Sequence, residues 1–296
     1  MGRQAVNFSK AYFWNPLDVF LPFDPRAFDR EYKPGVDAAR ASVAFAATAG
    51  LDVVYAPGRT VELDVLSQEV RAGEGAWDAT WYGSALLGRI YATAGPFDLA
   101  VQGGKVYGGA QVGGGFAGEV LTVGVRGEIA YLFAAEEAEG AEPVTVIGPD
   151  GDVYDVTLVP DHLDVVAGLD RRFGEEVYVA LEYAYNGAGD PDPVAAGLRL
   201  MAGEVQNLSR HLLGALVQWS PIPVLDLKLA GMFSLSDGSV LLTPTVGYSI
   251  SDEADFTAGV MIPLGKRPEE GLLYPRPASE FGTYPHAFFG QVRFYF

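Results

Sequence analysis

Phe288-Phe289-Gly290-Gln291-Val292-Arg293-Phe294-Tyr295-Phe296 decides how the rest of this chain is read. Taken with period 2, Phe288, Val292, Phe294 and Phe296 share one face, with Gly290 among them. Gln291 and Arg293 fall on the other, with Phe289 and Tyr295 near its ends. A soluble edge strand this aromatic would invite aggregation. A strand with one face in lipid and one in a wet lumen has this pattern for a physical reason.

Working back from that strand, apolar alternation bounded by turn residues recurs along the chain. Leu163, Val165, Ala167 and Leu169 oppose Asp164, Val166, Gly168 and Asp170. Val177, Val179, Leu181, Tyr183 and Tyr185 oppose Tyr178, Ala180 and Glu182. Leu225, Leu227, Leu229, Phe233 and Leu235 oppose Asp226, Lys228 and Ser234. Gly2–Ser9 reads as a first short strand. Gly109–Gly118 is a weak, glycine-rich one, and the faces of Trp81–Thr93 do not separate cleanly. About 14 strands result, most roughly 10–13 residues long, the length a tilted membrane-crossing strand needs. Strands of soluble sheets average roughly 5–6 residues.

The connections alternate in length. Lys10–Gly35, Gly58–Thr80, Ala134–Pro160, Gly187–Gln206 and Pro263–Pro285 are long and fall on one side. The intervening connections are tight, such as Ala49-Gly50, Gly174-Glu175 and Ser251-Asp252. Two further short connections, at Gly108 and at Ser236-Asp237-Gly238, fall on the long side. Membrane barrels sort their loops this way, whereas a β-sandwich has no reason to. The expectation is an all-β, transmembrane, antiparallel up-and-down β-barrel over residues 1–296, of about 14 strands or part of a 14–18-stranded one. Within the loop 134–160, Val144–Ile147 and Val153–Val159 flank Gly148-Pro149-Asp150-Gly151, a hairpin signal.

Composition narrows function by exclusion. The net charge of −18 repels phosphate backbones, so no nucleic-acid partner is expected. There is no Cys, which removes thiolate metal sites and Cys nucleophiles. The three His form no zinc-like cluster, so neither metal nor cofactor is expected. Ser209 and His211, two apart, would share a strand face, yet no acidic partner stands at a recognisable spacing. No enzymatic role is expected. Acidic runs such as Glu136, Glu137 and Glu139 read as solvated loop. Met1-Gly2-Arg3-Gln4 carries no apolar signal region, which leads us to expect that further sequence precedes it in the full protein.

Candidate functional residues follow from face and loop. Arg40, Arg126, Glu128, Asp170, Arg172, Glu182, Arg210, Asp226, Lys228 and Arg293 are expected on the lumen side as pore-lining charges. The loop 10–35 holds Phe13, Trp14, Phe20, Phe23 and Phe28, too aromatic for free solvation. It is expected to fold into the barrel mouth as a constriction loop, presenting Asp18, Asp29, Arg30, Glu31 and Lys33.

Two elements carry a resemblance. The terminal strand, with Phe288, Val292, Phe294 and Phe296, resembles the last strand of bacterial outer-membrane β-barrels. Gly2-Arg3-Gln4 followed by Asn15-Pro16-Leu17-Asp18 resembles porin-like families, of which alginate-export-type barrels share the Gly-Arg-Gln element. The resemblance implies a bacterial outer-membrane location and a lipid bilayer around the chain. It also implies recognition of the terminal strand by the barrel-assembly machinery, and a channel for small polar solutes by diffusion or facilitated transport. The alternative is a non-conducting barrel acting as a surface binding or structural protein.

Overall fold

The computed structural model describes residues 1–20, 35–58, 61–64, 69–72, 79–135, 144–147, 153–156, 160–189, 207–270 and 277–295. The elements are β1 (Gly2–Gln4), β2 (Val36–Ala46), β3 (Ala49–Gly58), β4 (Val61–Asp64), β5 (Glu69–Ala72), β6 (Thr80–Ala94), β7 (Phe97–Val106), β8 (Gly109–Val120) and β9 (Val123–Ala134). They continue as β10 (Val144–Ile147), β11 (Val153–Val156), β12 (His162–Phe173), β13 (Val177–Asn186), β14 (His211–Ile222), β15 (Leu225–Ser234), β16 (Val240–Ser251), β17 (Ala254–Leu264) and β18 (Ala287–Phe294). One 14-stranded antiparallel sheet runs in chain order, β1-β2-β3-β6-β7-β8-β9-β12-β13-β14-β15-β16-β17-β18. Two hairpins, β4–β5 and β10–β11, stand apart from it. β1 and β18 are its end members, with no ladder between them among the described residues.

Apolar side chains clothe the outside. Val43, Phe45, Ile90, Val101, Ile129, Leu169, Leu181, Val217, Leu229, Phe256 and Phe294 are all exposed. The inner face instead buries Asp52, Gln102, Gln111, Glu128 and Glu182. Water on both sides would reverse this arrangement, and lipid outside explains it. Trp219 and Tyr248 stand toward the turn side, where the tight connections lie, in the girdle positions of an aromatic belt.

Two-residue or three-residue turns join β2 to β3, β6 to β7, β8 to β9, β12 to β13, β14 to β15 and β16 to β17, all on one side. Gly95 (φ 60) and Gly174 (φ 62) supply left-handed backbone there. In the turn between β8 and β9 that conformation falls to Leu121 (φ 60), which is strained for a side chain with a Cβ. β6 shows why its faces resist periodicity: its ladder with β3 shifts register between Ala56 and Gly58. Leu86 and Ile90 point to lipid, while Leu87 is buried inside.

The first strand is shorter than alternation predicts. β1 ends at Gln4, where the side-chain Nε2 donates to the Ala38 carbonyl (2.7 Å). The chain then leaves the sheet and runs into the interior, so Val6 and Phe8 alternate against a core and not along a ladder.

Candidate functional site: a segment threaded through the lumen

Residues 5–20 lie inside the sheet's concave face. Val6, Phe8 and Phe20 pack with Val54, Leu87, Val106 and Leu132 on one side. Phe13 and Trp14 pack with Val166, Ala184, Leu212, Met232, Leu241, Met261 and Phe281 on the other. The segment therefore spans the interior between two apolar clusters. Burying its aromatics is the main drive for insertion, about 1.5–3 kcal/mol for each large side chain.

Between the clusters, two wall carboxylates hold the segment's backbone. Glu182 on β13 accepts from three consecutive amides, Tyr12 N (2.7 Å), Phe13 N (2.8 Å) and Trp14 N (2.9 Å). Glu128 on β9 accepts from Ser9 Oγ (2.7 Å), Lys10 N (2.5 Å) and Leu17 N (3.4 Å). A non-ladder backbone inside a barrel has donors that must be satisfied, and an ionised carboxylate satisfies them strongly. Neutral partners take the carbonyls: Gln102 Nε2 donates to Leu17 O (2.8 Å) and Gln111 Nε2 to Pro16 O (3.0 Å). The Arg126 guanidinium stacks 4.0 Å from the Tyr12 ring centroid, pairs with Asp170, and donates to Lys10 O (3.2 Å).

Glycines on the inner wall make room. A Cβ on Gly214 would stand 2.4 Å from the Phe13 ring, and one on Gly113 would stand 2.7 Å from Leu17. The glycine-rich β8, weak as a strand by propensity, is the wall against which Leu17 lies.

Among the expected pore-lining residues, Glu128 (3% exposed) and Glu182 (1%) do face inward, but both lie buried under the segment, and Glu128 keeps only an edge on a cavity beside it. The physical reason is the demand of the six donors they accept from. Arg126 and Asp170 are committed to each other and to the segment. Arg40 pairs with Asp52 (2.9 Å). Arg172 sits at the turn-side rim, donating to Glu175 O (3.4 Å). Arg210 precedes β14 and donates to Gly189 O (2.9 Å) on the loop side. Asp226 and Lys228 pair at 3.0 Å, and Arg293 Nη2 donates to Gln291 Oε1 (3.1 Å), on the stretch of wall formed by β15 to β18. Asp18 is buried beside the Asn15 turn, where Asp18 N donates to Asn15 O (3.0 Å). Asp29, Arg30, Glu31, Lys33 and Phe296 lie outside the described residues.

A second inward fold comes from the loop after β17. Glu280 and Phe281 are buried. Asp237, in the turn after β15, accepts from Glu280 N (2.7 Å) and Ser239 N (2.8 Å). Burial pushes the Asp237 carboxyl up, but hydrogen bonds from Ser239, Glu280 and Ser234 outweigh it and hold the group below its ordinary value. Ser209 and His211 do not share a face, because the strand starts only at His211. Ser209 Oγ bonds Ser234 Oγ (2.7 Å) inside, while His211 Nδ1 meets Tyr183 OH (2.8 Å).

No family model matches the chain, and no curated protein matches it in sequence. Solved structures do match. The OccK11 (OpdR) structure from Pseudomonas aeruginosa superposes with TM-score 0.50 at 10% identity, over 81% of this chain and 68% of that one. The two chains share their fold. A mutant porin of Rh. blastica aligns with TM-score 0.44 at 10% identity, over 89% of this chain and 92% of its own. An anion-selective porin from Comamonas acidovorans aligns with TM-score 0.43 at 11% identity, over 88% and 87%.

The inserted segment is what alternation could not reveal. One signal was legible: the density of aromatics in a stretch punctuated by Asn15-Pro16. Parity placed Glu128 and Glu182 on the inner face, but nothing local to them signalled that they anchor this segment.

Proposed function

We propose that this chain is a bacterial outer-membrane, porin-like channel for small polar solutes, narrowed by residues 5–20. The observation that carries the reading is the inner wall of β15 to β18. Lys228 and Gln291 are exposed there, while Asp226, Thr243, Thr245, Asp255, Thr257 and Arg293 are half-buried. Polar side chains facing inward and apolar ones facing outward give water a path that lipid cannot enter. Both charge signs occur along it, which favours weak ion selectivity.

The same reading makes the bilayer the principal partner. It gives the barrel-assembly machinery the outward Phe288, Val292 and Phe294 of β18 to grip. Ser209 and His211 serve the packing of the loop side, with no reaction assigned to them.

The segment's complete anchoring favours a second reading, a barrel that does not conduct at rest. Planar-bilayer recording of the purified full chain separates the two. Discrete conductance steps are expected, and a bilayer containing folded protein that carries no current would sink the channel reading.

A further inference from the structure

A cavity of about 410 Å³ lies beneath the inserted segment on the turn side. Phe8, Lys10 and Leu17 of the segment roof it, and Arg40, Arg89 and Tyr91 stand in its wall. Its volume is in the range of small-molecule sites.

Three cations face three acids here: Lys10, Arg40 and Arg89 against Asp52, Asp98 and Glu128. The acids are already occupied. Asp52 takes Arg40 (2.9 Å) and Ser42 Oγ (2.5 Å), and Glu128 takes the segment's donors. Asp98 takes Thr93 Oγ1 (2.7 Å) and Lys10 Nζ (3.9 Å). Arg89 is left over. Its guanidinium lies 4.9 Å from the Phe8 ring centroid and 5.9 Å from that of Tyr91, and its buried Nε has no hydrogen-bond partner. A half-buried guanidinium beside two aromatic rings presents a planar fork of donors matched to a planar oxyanion.

We propose that this cavity binds a small organic carboxylate, its anionic end on Arg89 and its apolar body against Phe8, Leu17 and Tyr91. The carboxylate supplies the acceptors that the neighbouring acids no longer offer. The rings and the leucine give the apolar remainder a reason to stay. Because the roof belongs to the inserted segment, an occupied cavity also ties Phe8 and Leu17 to the wall. The site is independent of whether the barrel conducts.

Isothermal titration of the detergent-purified full chain with sodium benzoate tests this, with benzamide as the neutral isostere and inorganic phosphate as the body-less anion. Saturable benzoate binding is expected, at least tenfold tighter than benzamide and tighter than phosphate. Arg89→Gln should weaken it at least tenfold. Arg89→Lys keeps the charge and loses the fork, and should weaken it several-fold. Arg171→Gln, on the exposed outside over Phe173, should leave it unchanged. Absence of saturable benzoate binding overturns the proposal, as does equal binding of benzamide. Phosphate binding as tightly as benzoate overturns the organic part. If Arg89→Gln fails to fold, as judged by heat-modifiable gel mobility, Arg89→Lys decides, and wild-type affinity in that variant refutes the site.

Discussion

Glu182→Ala removes an acceptor shared by three consecutive amides, at 2.7, 2.8 and 2.9 Å. Hydrogen bonds to charged groups contribute about 1.5–3 kcal/mol each, and an orphaned buried donor costs about 1–3 kcal/mol. Water entering the space left by the side chain recovers part of that. We therefore expect the docked segment to lose about 3–6 kcal/mol. That compares with the burial of Phe13 and Trp14, at about 1.5–3 kcal/mol each. A loss of about 3 kcal/mol raises the undocked fraction about 100-fold. The barrel ladder should survive, because β13 keeps its backbone pairing with β12 and β14. Two readouts follow. Trypsin should cut after Lys10 about 100-fold faster in folded, detergent-held protein, and single-channel conductance should rise. Glu182→Gln retains one acceptor oxygen and should fall between the wild type and the alanine variant. Wild-type cleavage and conductance in a folded Glu182→Ala barrel would refute the idea that this carboxylate holds the segment.

Gly214→Ala places a Cβ 2.4 Å from the Phe13 ring and should loosen the segment, and adding Phe13→Ala should relieve that clash. A double-mutant cycle on Lys10 cleavage checks this, with a coupling of about 0.5–3 kcal/mol expected. On the outward face, Leu229→Arg should cost about 2–4 kcal/mol of folding in lipid. The inward Thr245→Arg should be tolerated, and urea titration in bilayers compares the two. Because Asp237 titrates below its ordinary value in the folded chain, its contribution is present above about pH 3.9 and is lost as pH falls through the folded value. The inward fold at Glu280 and Phe281 should therefore loosen in acid, and Asp237→Asn should show that loosening already at neutral pH by hydrogen exchange of Glu280 N.

Period-2 alternation, the sorting of long and short connections, and the aromatic final strand were enough to specify 14 antiparallel strands with lipid on one face. That information is local: adjacent side chains on a strand point to opposite sides, and each turn closes within a few residues. The inward direction of Glu128, Glu182 and Arg126 was equally legible, because parity alone fixes it. What those residues meet was not. Glu128 bonds Ser9 across a separation of 119 residues, and Glu182 bonds Tyr12 across 170. Alternation states which face a residue occupies and is silent about a segment arriving from elsewhere. Gly113 and Gly214 read as weak strand residues, although they are the clearances that Leu17 and Phe13 require. The sequence by itself determined the membrane-facing sheet. Only the tertiary structure decided that its lumen is threaded, since that rests on apolar burial and charged anchors between residues with no local relation.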